Sequence, residues 1–140
     1  MITQENPVGL ASIDHLEFVT PHLKSETADC FTKLGFERVA VSPKNDQVLY
    51  QQGQIRFLLR APTPDQDHPY MYLKNHFDGV SKISFRVDSL EKSLEAALKR
   101  GAVLKKDITI SEGPQGIIKT ASVQGFGDVL NEFVERPDSL

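Results

Sequence analysis

The sequence predicts an α+β domain of two β-α-β-β-β modules, forming a mixed sheet with both helices on its convex side. Three observations carry that prediction. The stretch SIDHLEFVT (12–20) alternates apolar and polar residues, and GVSKISFRV (79–87) does so again with Phe in the matching place. Each stretch leads into a segment with apolar residues at helical spacing, closed by Gly35 in the first copy and Gly101 in the second. Three short strand candidates then follow each helix, separated by turn residues.

In the first copy, alternation puts Leu16 and Phe18 on one face and His15 and Glu17 on the other, and Pro21 ends the strand. Leu23, Thr27, Cys30, Phe31 and Leu34 form the stripe of a helix over 23–34, which makes Cys30 a buried core filler. Strands are expected at 36–41, 47–51 and 54–60, punctuated by Pro43 to Asp46 and by Gly53. The segment 62–78 is rich in Pro and Asp and reads as a linker with at most a short helix at 71–76.

In the second copy, Leu90, Leu94, Ala97 and Leu98 make one helix face behind an N-cap at Asp88 or Ser89. Strands are expected at 102–110, 117–124 and 129–135. The modules therefore run from about 11 to 61 and from about 79 to 136 within a single domain of 140 residues. When Phe18 is laid on Phe85, His15 falls on Lys82. When Gly53 is laid on Gly127, Leu58 falls on Glu132.

Composition narrows the function classes. The chain is 39% hydrophobic and 25% charged, which is ordinary for a globular domain. Its net charge is −3, from 16 basic and 19 acidic residues, and no nucleic-acid footprint is apparent, so no nucleic-acid partner is expected. No apolar run approaches the roughly 18 residues of a membrane span, and the first residues lack signal-peptide character, so a cytoplasmic protein without a membrane role is expected. Cys30 is the only cysteine, which excludes an internal disulfide. Eight short strands leave sheet edges that favour a homodimer or higher assembly.

Strand parity gathers His15, Glu17, Lys82, Ser84, Arg86 and Glu132 on the polar face, together with Arg56 and Arg60. Two readings of that face stay open. It is either a neutralised ion network or a cup for an anionic ligand, in which Arg56 and Arg86 would bind substrate. His15 and Glu132 are of metal-ligating type, but the matching third position holds Lys82, whose ammonium offers no lone pair. His68 and His76 stand near Asp65, Asp67 and Asp78 without regular ligand spacing and read as solvated loop. GFGD and SEGPQG read as hairpin turns, since neither leads a buried strand into a helix.

The order of elements resembles the vicinal oxygen chelate superfamily, which includes glyoxalases, bleomycin resistance proteins and extradiol dioxygenases. More narrowly, ENPVGLASIDHLEFVTP, VLYQQGQIRFLL, FRVDSLEKSLEAALKRGA and GFGDVLNEFVER resemble the N-terminal half of bacterial 4-hydroxyphenylpyruvate dioxygenases. The resemblance implies a cupped sheet and a parent enzyme that oxidises an aromatic 2-oxo acid, with decarboxylation, in tyrosine catabolism. It also implies that the Fe(II) site of two His and one Glu lies in a C-terminal domain of the same gene. In catalytic members of the superfamily, ligands come from the first strand of each module and from the last strand, the positions of His15, Lys82 and Glu132. The expectation is a non-catalytic half with no catalytic residue and no metal of its own, where Lys82 stands in for the ion by pairing with Glu132. The alternatives are a free-standing metal-dependent dioxygenase or glyoxalase-type enzyme that uses His15 and Glu132, and a metal-free small-molecule binding module.

Overall fold

The two alternating stretches become long strands, β1 (Leu10–Val19) and β5 (Gly79–Val87), in a computed structural model that describes residues 1–63 and 68–137. After β1 come α1 (Glu26–Lys33), β2 (Glu37–Val41), β3 (Gln47–Gln52) and β4 (Ile55–Arg60). The helix α2 (His68–Asn75) intervenes before β5, which is followed by α3 (Leu90–Lys99), β6 (Leu104–Gly113), β7 (Gly116–Gln124) and β8 (Leu130–Glu135). The β-α-β-β-β order thus occurs twice, as the sequence predicts.

Hydrogen bonding orders the strands β2-β3-β4-β1-β5-β8-β7-β6. The sheet is mixed, with β1 parallel to β4 and with antiparallel pairs β2–β3, β3–β4, β6–β7 and β7–β8. The chain divides into two compact units, His15–Lys82 and Met1–Asp14 with Ile83–Leu140, so β1 and β5 each contribute residues to both. Among the described residues no helix is long and apolar enough to cross a membrane.

In the His15–Lys82 unit, α1 packs an aromatic cluster against the sheet. The Phe31 ring meets Phe18 edge-on at 5.0 Å and Tyr50 at 5.3 Å, while Phe36 stacks on Phe57 at 4.5 Å. Such pairs add to the area burial that holds the helix down. The helix begins later than its apolar spacing suggests, because the Ser25 side chain accepts the Ala28 N–H and fixes the N-cap there. Its buried residues are Ala28 and Phe31, three apart on one ridge. Cys30 precedes Phe31 by about 100° of helical rotation and is exposed, which corrects its expected place in the core. Leu34 is likewise 61% exposed.

In the other unit, Ser89 rather than Asp88 caps α3, its side chain accepting the Lys92 N–H at 3.4 Å. The buried face of α3 is Leu90, Ser93, Leu94 and Ala97, packed with Val87, Ala121, Val123 and Phe133. Leu98 is 39% exposed, so the small Ser93 takes the place that sequence spacing assigns to it. The Glu135 carboxylate accepts the Leu90 N–H at 2.8 Å, an anion on the helix N-terminus. Lys119 bonds Glu91 at 2.8 Å, which raises the lysine's pKa and lowers that of the carboxylate.

Replacing Phe31 by Ala removes the ring on which four aromatic neighbours converge, and the expected loss is about 3–5 kcal/mol in urea denaturation. Cys30→Ser should shift the same transition by less than about 0.5 kcal/mol, as for other exposed positions. A large effect at Cys30 with a small one at Phe31 would contradict the helix orientation.

Candidate functional site: a buried carboxylate between two cations

Strand parity turns Phe18 toward α1 and its neighbour Glu17 toward the polar side, where the Glu17 side chain is only 1% exposed. A carboxylate so buried is costly unless it is both hydrogen-bonded and charge-compensated. Parallel pairing sets Glu17 opposite Leu58, which brings Arg60, two residues farther along β4, onto the same side. Arg60 Nη1 donates to Glu17 Oε1 at 3.3 Å. From β5, Ser81 Oγ donates to Oε2 at 3.0 Å, and Lys82 Nζ lies 3.9 Å from Oε1. Arg60 and Lys82 are themselves only 23% and 17% exposed, which keeps this cluster from dissolving into solvent.

The duplicated module makes a related arrangement in the other unit with the roles exchanged. Ser84 occupies the position of Glu17, and Glu132 that of Leu58. Ser84 Oγ donates to Glu132 Oε1 at 2.8 Å. Each module thus places one carboxylate on its polar side, on the first strand in one copy and on the last strand in the other. The burial pattern also repeats. Asp14 and Glu17 are buried like Ser81 and Ser84, whereas His15, Leu16 and Phe18 are half-buried like Lys82, Ile83 and Phe85.

A second buried acid, Asp14, is held by a bidentate fork, with Arg136 Nε at 2.8 Å from Oδ1 and Nη2 at 2.9 Å from Oδ2. The hydrogen bond to Asp14 raises the Arg136 pKa above its ordinary value, assisted by attraction to Asp14 and Glu132 and opposed by burial.

Of the residues singled out in the sequence, His15, Arg56 and Lys82 belong to the His15–Lys82 unit, and Arg86 and Glu132 to the other. The carboxylate that Lys82 meets within its own unit is Glu17. His76 stacks on Tyr72 of α2 at 4.4 Å, and Asp78 accepts the hydroxyl of Thr27 in α1 at 2.7 Å; Asp65 and Asp67 lie outside the described residues. Sequence reasoning placed Glu17 on the polar face without giving it a partner. The pairing of Asp14 with Arg136, across almost the whole chain, left no signal in local spacing.

An iron site of the kind the resemblance implies needs three lone-pair donors, two His and a carboxylate. Among the described residues no three His, Cys, Asp or Glu side chains gather as a ligand set. Around Glu17 the neighbours are a guanidinium, an ammonium and a hydroxyl, and the two cations would repel a dication. This donor set does not fit Fe(II). What it does is set two cations and a hydroxyl against a buried carboxylate.

Arg60→Met should therefore destabilise the chain by about 3 kcal/mol in urea denaturation, because it strips Glu17 of its hydrogen-bonded cation. Adding Glu17→Gln should recover at least half of that loss. If Arg60→Met leaves the transition where it was, the pairing contributes nothing.

Comparison with known proteins places this geometry. Protein MelA of Shewanella colwelliana is 30% identical over 135 residues, covering 96% of this chain and 36% of that protein. The 4-hydroxyphenylpyruvate dioxygenase of Coccidioides posadasii is 27% identical, covering 88% of this chain and again 36% of the relative. The chain thus spans about a third of the length of the curated relatives it matches. Among solved structures, a triple mutant of 4-hydroxymandelate synthase from Streptomyces coelicolor superposes with a TM-score of 0.81 at 19% identity, over 91% of this chain and 39% of that one. Methylmalonyl-CoA epimerase from Mycobacterium tuberculosis superposes with a TM-score of 0.74 at 18% identity, over 99% of this chain and 95% of that one. At such identities these two show the fold alone, that of the vicinal oxygen chelate proteins. The profile of the family described as "Hydroxyphenylpyruvate dioxygenase, HPPD, N-terminal" matches residues 4–139, so the chain belongs to the family of hydroxyphenylpyruvate dioxygenase N-terminal domains.

Proposed function

We propose that the chain is the non-catalytic N-terminal half of a 4-hydroxyphenylpyruvate dioxygenase-like enzyme that acts on an aromatic 2-oxo acid in tyrosine catabolism. The observation that carries this reading is the family match over nearly the whole chain, set against only about a third of each relative. Lys82 supports it, since it stands at one of the ligand positions and its ammonium, 3.9 Å from Glu17 Oε1, offers a metal no lone pair. The parent iron, when bound in the catalytic domain, supplies the oxygen chemistry. This chain's residues contribute two sheet-and-helix modules whose buried acids are paired internally, Glu17 with Arg60 and Lys82, and Asp14 with Arg136. Its compartment on this reading is the cytoplasm, and its assembly a homo-oligomer.

A second reading draws on the epimerase, a chain that this one covers almost completely, so the fold also occurs at this length. On that reading the chain is a free-standing module that takes an anionic small molecule.

Oxygen uptake with 4-hydroxyphenylpyruvate and added Fe(II) tests the main reading. The 140-residue chain should give no turnover above the metal-only background, and it should retain only substoichiometric iron after dialysis. Turnover, or one tightly held ion per chain that is lost in His15→Ala, would overturn it.

A further inference from the structure

A cavity of about 300 Å³ opens between the N-terminal arm and the start of α3, wholly within the unit that contains that helix. Its volume is at the lower end of the range of small-molecule sites. Met1, Ile2 and Gly9 form the arm's side of it. Asn6 ties the arm down, its Nδ2 donating to the Leu10 carbonyl at 2.8 Å and its Oδ1 accepting the Leu10 N–H at 3.0 Å. Gly9, at φ 78°, lets the chain pass close to Ile2, since a Cβ there would stand 2.9 Å from the Ile2 side chain. The result is a mostly apolar wall in which Ile2 is 45% exposed.

Ser89, Lys92 and Ser93 line the cavity from the helix. The backbone donors there are already used, the Leu90 N–H by Glu135, the Lys92 N–H by the Ser89 hydroxyl and the Ser93 N–H by the Ser89 carbonyl. Two side chains remain for a ligand. Ser93 is 2% exposed, and among the described residues its hydroxyl has no hydrogen-bond partner. The repeat shows what such a position does when it is satisfied: with Gly35 laid on Gly101, Ser93 falls on Thr27, whose hydroxyl donates to Asp78 at 2.7 Å. A hydroxyl so buried is costly unless it is paired, and here the pairing has to come from the cavity. Lys92 supplies the charge. Asp88 pairs with the Met1 amino group at 2.8 Å, Glu91 with Lys119 at 2.8 Å and Glu95 with Lys99 at 3.0 Å, while Glu135 stands 3.7 Å from Lys119. Glu5, the arm's own acid, is exposed and outside the lining. Among the described residues Lys92 has no ion-pair partner, so the cavity mouth keeps one positive charge uncompensated.

We propose that this cavity binds a small apolar carboxylate. The hydrocarbon body lies against Met1, Ile2 and Gly9, the carboxylate accepts the Ser93 hydroxyl, and the Lys92 ammonium balances its charge. The space equals that of about ten water molecules, which suits a short aliphatic or aromatic acid rather than a segment of polypeptide. The site uses none of the residues around Glu17, so it stands whether or not the chain is the scaffold half of a dioxygenase.

Titration of the isotope-labelled 140-residue chain with phenylpropanoate and with octanoate, followed by amide NMR shifts, tests the site. At least one of the two acids should bind saturably below about 10 mM, with the largest shifts at Ile2, Gly9, Lys92 and Ser93, and the tighter of the two tells an aromatic from an aliphatic ligand. Ser93→Ala should weaken that binding by about tenfold, the loss of a hydrogen bond to a charged acceptor. Lys92→Gln should weaken it by about fivefold, and the neutral phenylpropanamide, which binds the unaltered chain less tightly than its acid, should then match the acid. Neither substitution should lower the melting temperature, since neither side chain has a partner to lose among the described residues. Absence of saturation with both acids, shifts centred in the His15–Lys82 unit, or an affinity that either substitution leaves unchanged would overturn the proposal. A fall in melting temperature for Ser93→Ala would overturn it too, by showing the hydroxyl already satisfied within the fold.

Discussion

Burial of the Glu17 carboxylate constrains the whole His15–Lys82 unit. A carboxylate at 1% exposure must have its polar atoms satisfied from inside the protein, and two other strands provide for it. Arg60 reaches it because β4 runs parallel to β1 in a register that sets Leu58 opposite Glu17. Ser81 and Lys82 reach it from β5. A register slip of one residue in either pairing would strand the acid and turn Phe18 and Leu59 out of the aromatic core, so the ion cluster and the core select the same register.

The repeat shows how one scaffold holds two chemistries. Both modules keep the same alternation, the same burial from Asp14 to Phe18 as from Ser81 to Phe85, and an equivalent helix packed against one face. Their polar faces have diverged, since the carboxylate sits on the first strand in one copy and on the last in the other. Core-facing positions are held by volume and area, which tolerate few alternatives. Polar-facing positions need only be satisfied, and several residue combinations achieve that.

This division also explains why solved structures at 18–19% identity share the fold while their names describe different activities. The module fixes where side chains can converge, and the residues placed there decide what happens. In this chain those residues include a guanidinium and an ammonium flanking an acid, an arrangement suited to holding structure. The family match runs from residue 4 to 139, over a third of the length of the curated relatives.

By itself the sequence determined the class and order of the elements. Alternation, helical stripes closed by Gly35 and Gly101, and turn residues are all local properties, and each survived into the structure within a few residues. It also determined which side of β1 would be polar, since parity follows from chain geometry alone. Tertiary structure decided the rest. Cys30 lies off the buried ridge of α1, because the Ser25 cap and the Phe31 cluster together set the helix's rotation, and Leu34 is exposed as the C-cap residue past the last helical turn. The partners of Asp14, Glu17 and Glu132 depend on which strands pair and in what register, and those pairings join residues 43 to 122 positions apart. No local pattern encodes such distances; they are fixed only when the sheet has formed and the cost of a buried charge has selected its partner.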